Sequence, residues 1–187
     1  MSALFGPVVQ QGYVVPDVEV AMQHWLSRGI GPFVFVDIKN LPGIYRDQPI
    51  EAAMQAGFAY SGDQQIEVIR PSSEHPSIYQ DYLQTTPQGG LQHLAFWVDN
   101  IDEKLAELDA QHIDYQVWQR YGQPPEYAAH AYLDLNQHTF EELRGNRPLL
   151  REIGESIQRE ISGTLGAFGL HIQDYSISWG LTLQERA

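Results

Sequence analysis

The chain has 187 residues, of which 43% are hydrophobic, and its 24 acidic and 11 basic residues give a formal net charge of −13. This length and composition suffice for one ordinary hydrophobic core or for two small modules packed side by side, and they exclude a disordered chain. The negative charge would repel nucleic-acid phosphates and anionic lipid head groups, so neither is expected as a partner.

The sequence contains no cysteine. Disulfides, zinc–thiolate sites and thiol nucleophiles are therefore excluded, and any metal ion must be held by His, Glu, Asp or Gln. The opening segment MSALFGPVVQQGYVV lacks the basic stretch and the long apolar stretch of a secretion signal. No window approaches the roughly eighteen consecutive apolar residues of a membrane-spanning helix. We expect a soluble, cytoplasmic protein.

The first predicted elements are a short strand and an amphipathic helix, and the same pair recurs later in the chain. The segment QQGYVVPDVEVAMQHWLSRGIGPFVFV, which starts at Gln10, aligns with HLAFWVDNIDEKLAELDAQHIDYQVWQ, which starts at His93. Asp17 and Asn100 then share the N-cap position, where a side-chain oxygen accepts hydrogen bonds from the first helical turn. Because the cap, the helix length and the following β-rich segment keep one register, the sequence predicts two copies of one module.

The later parts of the two copies also correspond. In the first copy, GFAYSGDQQIEVIRP contains two β-type segments separated by a Gly-Asp turn, which is typical of a hairpin. In the second copy, AAHAYLDLNQHTFEEL shows the same pattern around a turn that contains Asn. The predicted modules span residues 1–71 and 91–146.

Two segments lie outside the repeat. Residues 72–90 form a linker with a predicted short helix around residues 77–84, short enough for the two modules to pack against each other. Residues 147–187 are predicted to form an additional C-terminal helix and a tail. The segment RPLLREIGESIQREI places a set of apolar residues on one helical face: Leu149, Leu150, Ile153, Ile157 and Ile161.

Polar residues inside the apolar strands fall at matching positions in the two copies. Gln10 and His93 begin the first strand of each copy, and Glu67 and Glu142 lie in the last strand of each. A buried carboxylate is costly unless a positive group meets it, and a divalent cation is one such group. If the modules face each other across a pseudo-twofold axis, these four side chains converge in a central cleft. One imidazole, one amide oxygen and two carboxylates suit zinc, nickel, cobalt, manganese or iron, with positions left for water or substrate.

The register of the last strand leaves two carboxylates open as the fourth ligand. Glu67 in IEVI and Glu142 in EELR are each followed directly by an apolar residue, which favours Glu142. A shift of one residue would turn Glu141 into the site instead.

The paired segments QQGYVVPDVEVAMQHW and GLQHLAFWVDNIDEKLAEL, with IEVIRP between them, resemble the vicinal oxygen chelate superfamily. This superfamily includes glyoxalase I, methylmalonyl-CoA epimerase, extradiol dioxygenases and the fosfomycin and bleomycin resistance proteins. The resemblance covers roughly residues 6–145. It implies an α+β fold in which two βαβββ modules, related by a pseudo-twofold axis, form a curved mixed sheet around the site. The order Gln, Glu, His, Glu matches the metal ligands of human-type glyoxalase I, which implies the ligand set Gln10, Glu67, His93 and Glu142.

The resemblance also implies a chemistry. In this superfamily the metal chelates adjacent substrate oxygens while a carboxylate moves a proton at a carbon next to a carbonyl. The expected enzyme is a glyoxalase-type lyase, isomerase or epimerase, with Glu142 as the candidate base and Glu67 as its partner on the opposite side. Dioxygenases of the superfamily use two histidines and one carboxylate, so Gln10 in the first histidine position disfavours O₂ chemistry with iron. If a minority of the many aromatic residues line an apolar pocket, that pocket favours a hydrophobic or aromatic small-molecule substrate.

Two other functions remain open from the sequence. A non-catalytic protein of the bleomycin-resistance kind would keep the cleft and lose the metal. A degenerate structural module would use its acidic surface and the predicted helix at residues 147–161 to form a homodimer. Taken alone, His93 would also fit a strand-capping histidine. The other histidines are interpreted as structural or surface residues, with His138 as the exception because it lies close to Glu142; they are His24, His75, His112, His130, His138 and His171.

Overall fold

The computed structural model describes residues 4–72, 76–135, 139–145 and 181–184. The predicted C-terminal helix at residues 147–161, as well as His75, His138 and His171, lie outside these ranges. Among the residues described, no helix is long and apolar enough to cross a membrane.

The first module has one helix and four strands: β1 (Gln10–Val14), α1 (Val18–Leu26), β2 (Val34–Tyr45), β3 (Gln48–Ser61) and β4 (Gln64–Pro71). Asp17 caps α1 and accepts a hydrogen bond from the backbone N–H of Val20. The helix buries Val18 and Met22 against Val68 and other apolar residues on the outer face of the sheet. This amphipathic pattern is the one that the sequence predicts.

The second module repeats this order after a linker helix: α2 (Ile78–Thr85), β5 (Gly90–Val98), α3 (Ile101–Ala110), β6 (Gln116–Tyr121), β7 (His130–Asp134) and β8 (Phe140–Gly145). Asn100 caps α3 and accepts hydrogen bonds from the backbone N–H groups of Asp102 and Glu103. A further strand, β9 (Leu181–Gln184), pairs with the N-terminal half of β2. No periodicity in the tail predicts β9 from the sequence.

The strands of both modules form one mixed sheet in the order β3-β4-β1-β5-β8-β7-β6-β2-β9. Because β2 also pairs with β3, the first eight strands close into a ring. The ring joins the modules in two places, through the antiparallel pairs β1–β5 and β2–β6. The predicted α+β fold with two related βαβββ modules is confirmed.

The strand register shows the pseudo-twofold relation directly. Across the β1–β5 pair, Gln10 lies opposite Ala95 and Gly12 lies opposite His93. Glu67 of β4 is the parallel neighbour of Gly12, and Glu142 of β8 is the parallel neighbour of Ala95. Glu67 of the first module thus lies beside Gly12, the residue opposite His93. In the same way, Glu142 of the second module lies beside Ala95, the residue opposite Gln10.

The hydrophobic core lies on both faces of the sheet. Under α3, the outer face buries Phe96, Leu133 and Leu143. On the inner face, α2 packs Ile78 and Tyr79 against a cluster that continues through Val14, Ile69, Tyr121 and Tyr132. The inner cluster is rich in tyrosine, and the tyrosine side chains surround the polar residues inside the closed sheet.

Candidate functional site

The four residues that the sequence singles out meet inside the ring of strands. Nε2 of His93 lies 3.3 Å from Oε1 of Gln10. The same nitrogen lies 3.4 Å from Oε2 of Glu67 and 3.4 Å from Oε2 of Glu142. Gln10, His93 and Glu142 are fully buried, and Glu67 is 6% exposed. Three oxygen atoms from three strands thus converge on one imidazole nitrogen.

The place of the His93 ring depends on the glycine opposite it. A Cβ atom at position 12 would lie 1.9 Å from Cε1 and 2.1 Å from Nε2 of His93. The ring therefore rests directly on the backbone of Gly12, an approach that a residue with a side chain would block. This glycine gives the imidazole room to reach the centre of the site.

Strand alternation decides which glutamate of β8 faces the site. Glu142 lies on the inner face and is fully buried. Glu141 shares the opposite face with Leu143, which packs in the cluster under α3. Glu142, and not Glu141, is therefore the carboxylate beside His93.

The other ring nitrogen of His93 has its own partner. Nδ1 of His93 lies 2.7 Å from Oε1 of Gln92, and since an amide oxygen only accepts, Nδ1 donates this hydrogen bond. Nε2 is thus the nitrogen directed at the three oxygens. Burial by itself would lower the pKa of His93, but Glu142 and Glu67 outweigh burial and raise this pKa to about 9. The two carboxylates therefore stabilise positive charge at this point.

Glu142 is the most strongly bound of the site residues. Its Oε1 accepts hydrogen bonds from Nδ1 of His130 at 2.6 Å and from the hydroxyl of Tyr132 at 3.1 Å. Its Oε2 accepts a hydrogen bond from Nε of Arg144 at 3.0 Å. Burial would raise the pKa of the Glu142 carboxyl, but Arg144, His130 and His93 together hold it well below its usual range.

Two tyrosine hydroxyls form a chain of hydrogen bonds that ends at the Glu142 carboxylate. The hydroxyl of Tyr79, on α2, donates a hydrogen bond of 2.8 Å to the hydroxyl of Tyr132. Burial raises the pKa of both hydroxyls well above the usual value, so both stay protonated and act as donors. The rings of Tyr132 and His93 are perpendicular, with centroids 5.4 Å apart. The linker helix therefore helps to position Glu142, which the second module contributes to the site.

Glu67 has far fewer contacts than Glu142. Its Oε2 is buried and accepts no hydrogen bond from any residue that the structure describes. The charged groups near this oxygen are His93, at 3.4 Å, and Nη2 of Arg144, at 3.8 Å. Glu67 is thus the carboxylate with an oxygen free to bind something else.

Arg144 is the main site residue that the sequence analysis misses. Its Nη2 donates a hydrogen bond of 2.5 Å to Oε1 of Gln10, and its Nη1 one of 3.4 Å to Oε1 of Gln65. Strand periodicity could have found it, because residues two apart in a strand share a face and Arg144 follows Glu142 by two. His130 and Tyr132 are found by the same rule, once β7 is paired with β8. The interpretation of His130 as structural or surface misses its contact with Glu142.

The residues can be compared with the needs of the divalent ion that the resemblance implies. One imidazole nitrogen, one amide oxygen and two carboxylates are suitable donors. The buried Oε2 of Glu67, which lacks a hydrogen-bond donor, is an atom that a cation would satisfy. Among the described residues no three His, Cys, Asp or Glu side chains form a preformed metal cage. The donors therefore fit in kind, while the guanidinium of Arg144 contacts two of them.

The family of the chain follows from its sequence. Residues 9–131 match the model of the Glyoxalase/Bleomycin resistance protein/Dioxygenase superfamily. The match spans more than half of the chain, and the protein belongs to this superfamily. The resemblance to the vicinal oxygen chelate proteins is thereby confirmed. No curated protein matches the chain significantly.

Solved structures share the fold. Methylmalonyl-CoA epimerase from Mycobacterium tuberculosis has a TM-score of 0.52 and 21% identity, covering 81% of this chain and 95% of its own. A hypothetical protein from Bacillus halodurans C-125 has a TM-score of 0.51 and 17% identity, covering 75% of this chain and 94% of its own. A selenomethionine form of methylmalonyl-CoA epimerase has a TM-score of 0.50 and 15% identity, covering 79% of this chain and 99% of its own. At these identities the similarity concerns the fold alone.

Proposed function

We propose that this protein is a metal-dependent enzyme of the glyoxalase and epimerase type, which moves a proton at a carbon next to a carbonyl group of a small molecule. One observation carries the proposal. Oxygen atoms of Gln10, Glu67 and Glu142 all lie within 3.4 Å of Nε2 of His93, although they come from different strands and both modules. A divalent cation would satisfy such a buried set of acceptors around one imidazole nitrogen, whereas a hydrophobic core would leave the acceptors unpaired.

The proposed ligands are Gln10, Glu67, His93 and Glu142. A bound divalent ion would polarise the carbonyl oxygen of the substrate and make the adjacent C–H more acidic. The protein prepares the ligands through their neighbours. Gln92 holds Nδ1 of His93 at 2.7 Å, which directs Nε2 inward, and Gln65 accepts a hydrogen bond of 2.6 Å from Nε2 of Gln10, which directs Oε1 of Gln10 inward.

The contacts favour Glu67 as the carboxylate that carries the proton. Glu142 accepts hydrogen bonds from His130, Tyr132 and Arg144 and has a depressed pKa, so it is a weak base and a well-held ligand. Oε2 of Glu67 has no such donor among the described residues. The sequence analysis favours Glu142 as the base with Glu67 as its partner, and the hydrogen bonds support the reverse assignment. Return of the proton to the adjacent carbon would give an isomer, and its return to the opposite face would give an epimer.

The proposal is tested by metal content and proton exchange in the same set of proteins. Elemental analysis of the wild type should show one divalent ion per chain, and His93→Ala and Glu142→Gln should each lose it.

For proton transfer, exchange of the substrate C–H with D₂O is followed by NMR over a panel of 2-substituted thioesters and 2-oxo acids. Glu67→Gln should reduce this exchange by about a hundredfold to ten thousandfold. Glu103→Gln, an exposed change of the same kind on α3, is the matched control. Equal metal content in all variants would refute the ligand assignment.

A second function, small-molecule binding without catalysis, is favoured by one observation. Arg144 already places a positive charge against Gln10 and Glu142, as a protein without a metal would require. In that case purified protein would contain no stoichiometric metal, and added metal would not raise its melting temperature.

A further inference from the structure

We propose that Arg144 is an internal cation that occupies the candidate metal centre in the metal-free protein, and that metal binds only as the guanidinium withdraws. Arg144 would then set the metal affinity of the site. This inference rests on the proposed function, because it concerns the same ligands.

The first argument is that Arg144 and a metal ion would need the same atoms. Nη2 of Arg144 lies 2.5 Å from Oε1 of Gln10, and Nε lies 3.0 Å from Oε2 of Glu142. These are the two atoms that also approach Nε2 of His93, at 3.3 Å and 3.4 Å. Nη2 further lies 3.8 Å from Oε2 of Glu67. The guanidinium thus hydrogen-bonds to two of the three oxygen ligands of the proposed set and lies at ion-pair distance from the third.

The second argument concerns charge. Glu67 and Glu142 bring two negative charges into a buried region, and a divalent ion with a neutral imidazole would balance them completely. A guanidinium left in the same place would then be a surplus positive charge next to the ion, and like charges repel strongly where water is excluded. Without metal, the same guanidinium supplies, beside His93, positive charge that the buried carboxylates require. The arginine and the metal are therefore alternatives.

The third argument is that the arginine can leave without collapse of the ligands. The Arg144 side chain is 13% exposed, whereas the side chains of Glu142 and His93 are fully buried, so Arg144 is the one of these three residues that reaches the surface. Gln10 would remain oriented by Gln65, and Glu142 would remain held through its other oxygen by His130. Removal of the guanidinium thus exposes two ligand atoms that keep their positions.

The experiment compares metal binding by the full-length, metal-free protein and its variants. Co²⁺ is titrated by calorimetry and by the visible absorption of bound Co²⁺, neither of which requires a substrate. Arg144→Met removes the charge, Arg144→Lys keeps it, and Arg28→Met makes the same charge change at an exposed position near the end of α1. Because the competing positive charge is removed, we expect Arg144→Met to bind Co²⁺ about ten- to a hundredfold more tightly than the wild type. Arg144→Lys should lie closer to the wild type than Arg144→Met does, and Arg28→Met should match the wild type.

The outcomes separate this inference from the proposed function. If the wild type binds Co²⁺ and Arg144→Met binds it equally or more weakly, the inference is wrong and the proposed function stands. If none of the folded proteins binds Co²⁺, both are wrong. Should Arg144→Met fail to fold, Arg144→Gln, which removes the charge but keeps hydrogen-bond donors, is judged by the same criterion.

Discussion

At the scale of the residue, the site depends on one close contact between a glycine and an imidazole. Gly12 has no side chain, and the His93 ring occupies the space where a Cβ atom would be. Neither residue is distinctive alone: Gly12 lies within β1, and His93 lies within β5, three residues after its first residue. Their cross-strand pairing makes each necessary for the position of the other.

This contact gives a prediction for Gly12→Ala. The new methyl group would displace the His93 ring, so the variant should lose about 1–3 kcal/mol of unfolding free energy and most of its metal affinity. Stability is measured by urea denaturation and metal binding by calorimetry. The matched control is the same change in a His93→Ala background, where the space is free and the stability cost should nearly disappear. An equal cost in both backgrounds would show that the ring contact is not the cause.

Several site residues could be recognised from the sequence for a definite physical reason. Glu67 and His93 are polar residues with apolar neighbours, which burial makes conspicuous, and Gln10 is recognised because it aligns with His93 in the repeat. Arg144 could not be recognised in the same way, because an arginine just before Gly145 reads as an ordinary solvated strand end. His130 likewise becomes significant only when β7 is placed beside β8, and that pairing is a long-range property of the fold.

At the scale of the element, the two-residue period of β8 determines which side chains enter the site. Glu142 and Arg144 lie on the inner face, while Leu143 packs outward under α3. The sequence pattern leaves Glu141 and Glu142 as alternatives, because EEL reads acceptably in either register. The alternatives are separated by the packing of Leu143 against Ile101 and Leu108, which a single strand does not reveal.

A pair of neighbouring substitutions tests this register. Glu141→Gln should leave Co²⁺ affinity within about twofold of the wild type, whereas Glu142→Gln should weaken it by more than about tenfold. Burial raises the pKa of Glu141 to about 7, so the comparison is made at pH 8 or above, where both changes remove one negative charge and their difference reports orientation. Calorimetric titration of the metal-free proteins provides the comparison. Similar losses in both variants would mean that charge alone governs binding.

At the scale of the whole molecule, the site exists because two modules share one sheet. The antiparallel pair β1–β5 brings Gln10 and His93 together, and the parallel pairs β1–β4 and β5–β8 bring one glutamate from each module. The repeat in the sequence predicts two related modules, whereas their arrangement around one site is what the resemblance to the superfamily implies. The strand β9 is not predictable in this way, since its partner β2 lies far away in the sequence and its segment has no clear period.

The most direct test of the central claim is the X-ray absorption spectrum of the Co²⁺-loaded protein. The proposed ligand set predicts a first shell with one imidazole nitrogen and several oxygens at about 2.0–2.2 Å, and loss of the imidazole signal in His93→Ala. A first shell with two or more imidazoles, or an imidazole signal that survives in His93→Ala, would contradict the account.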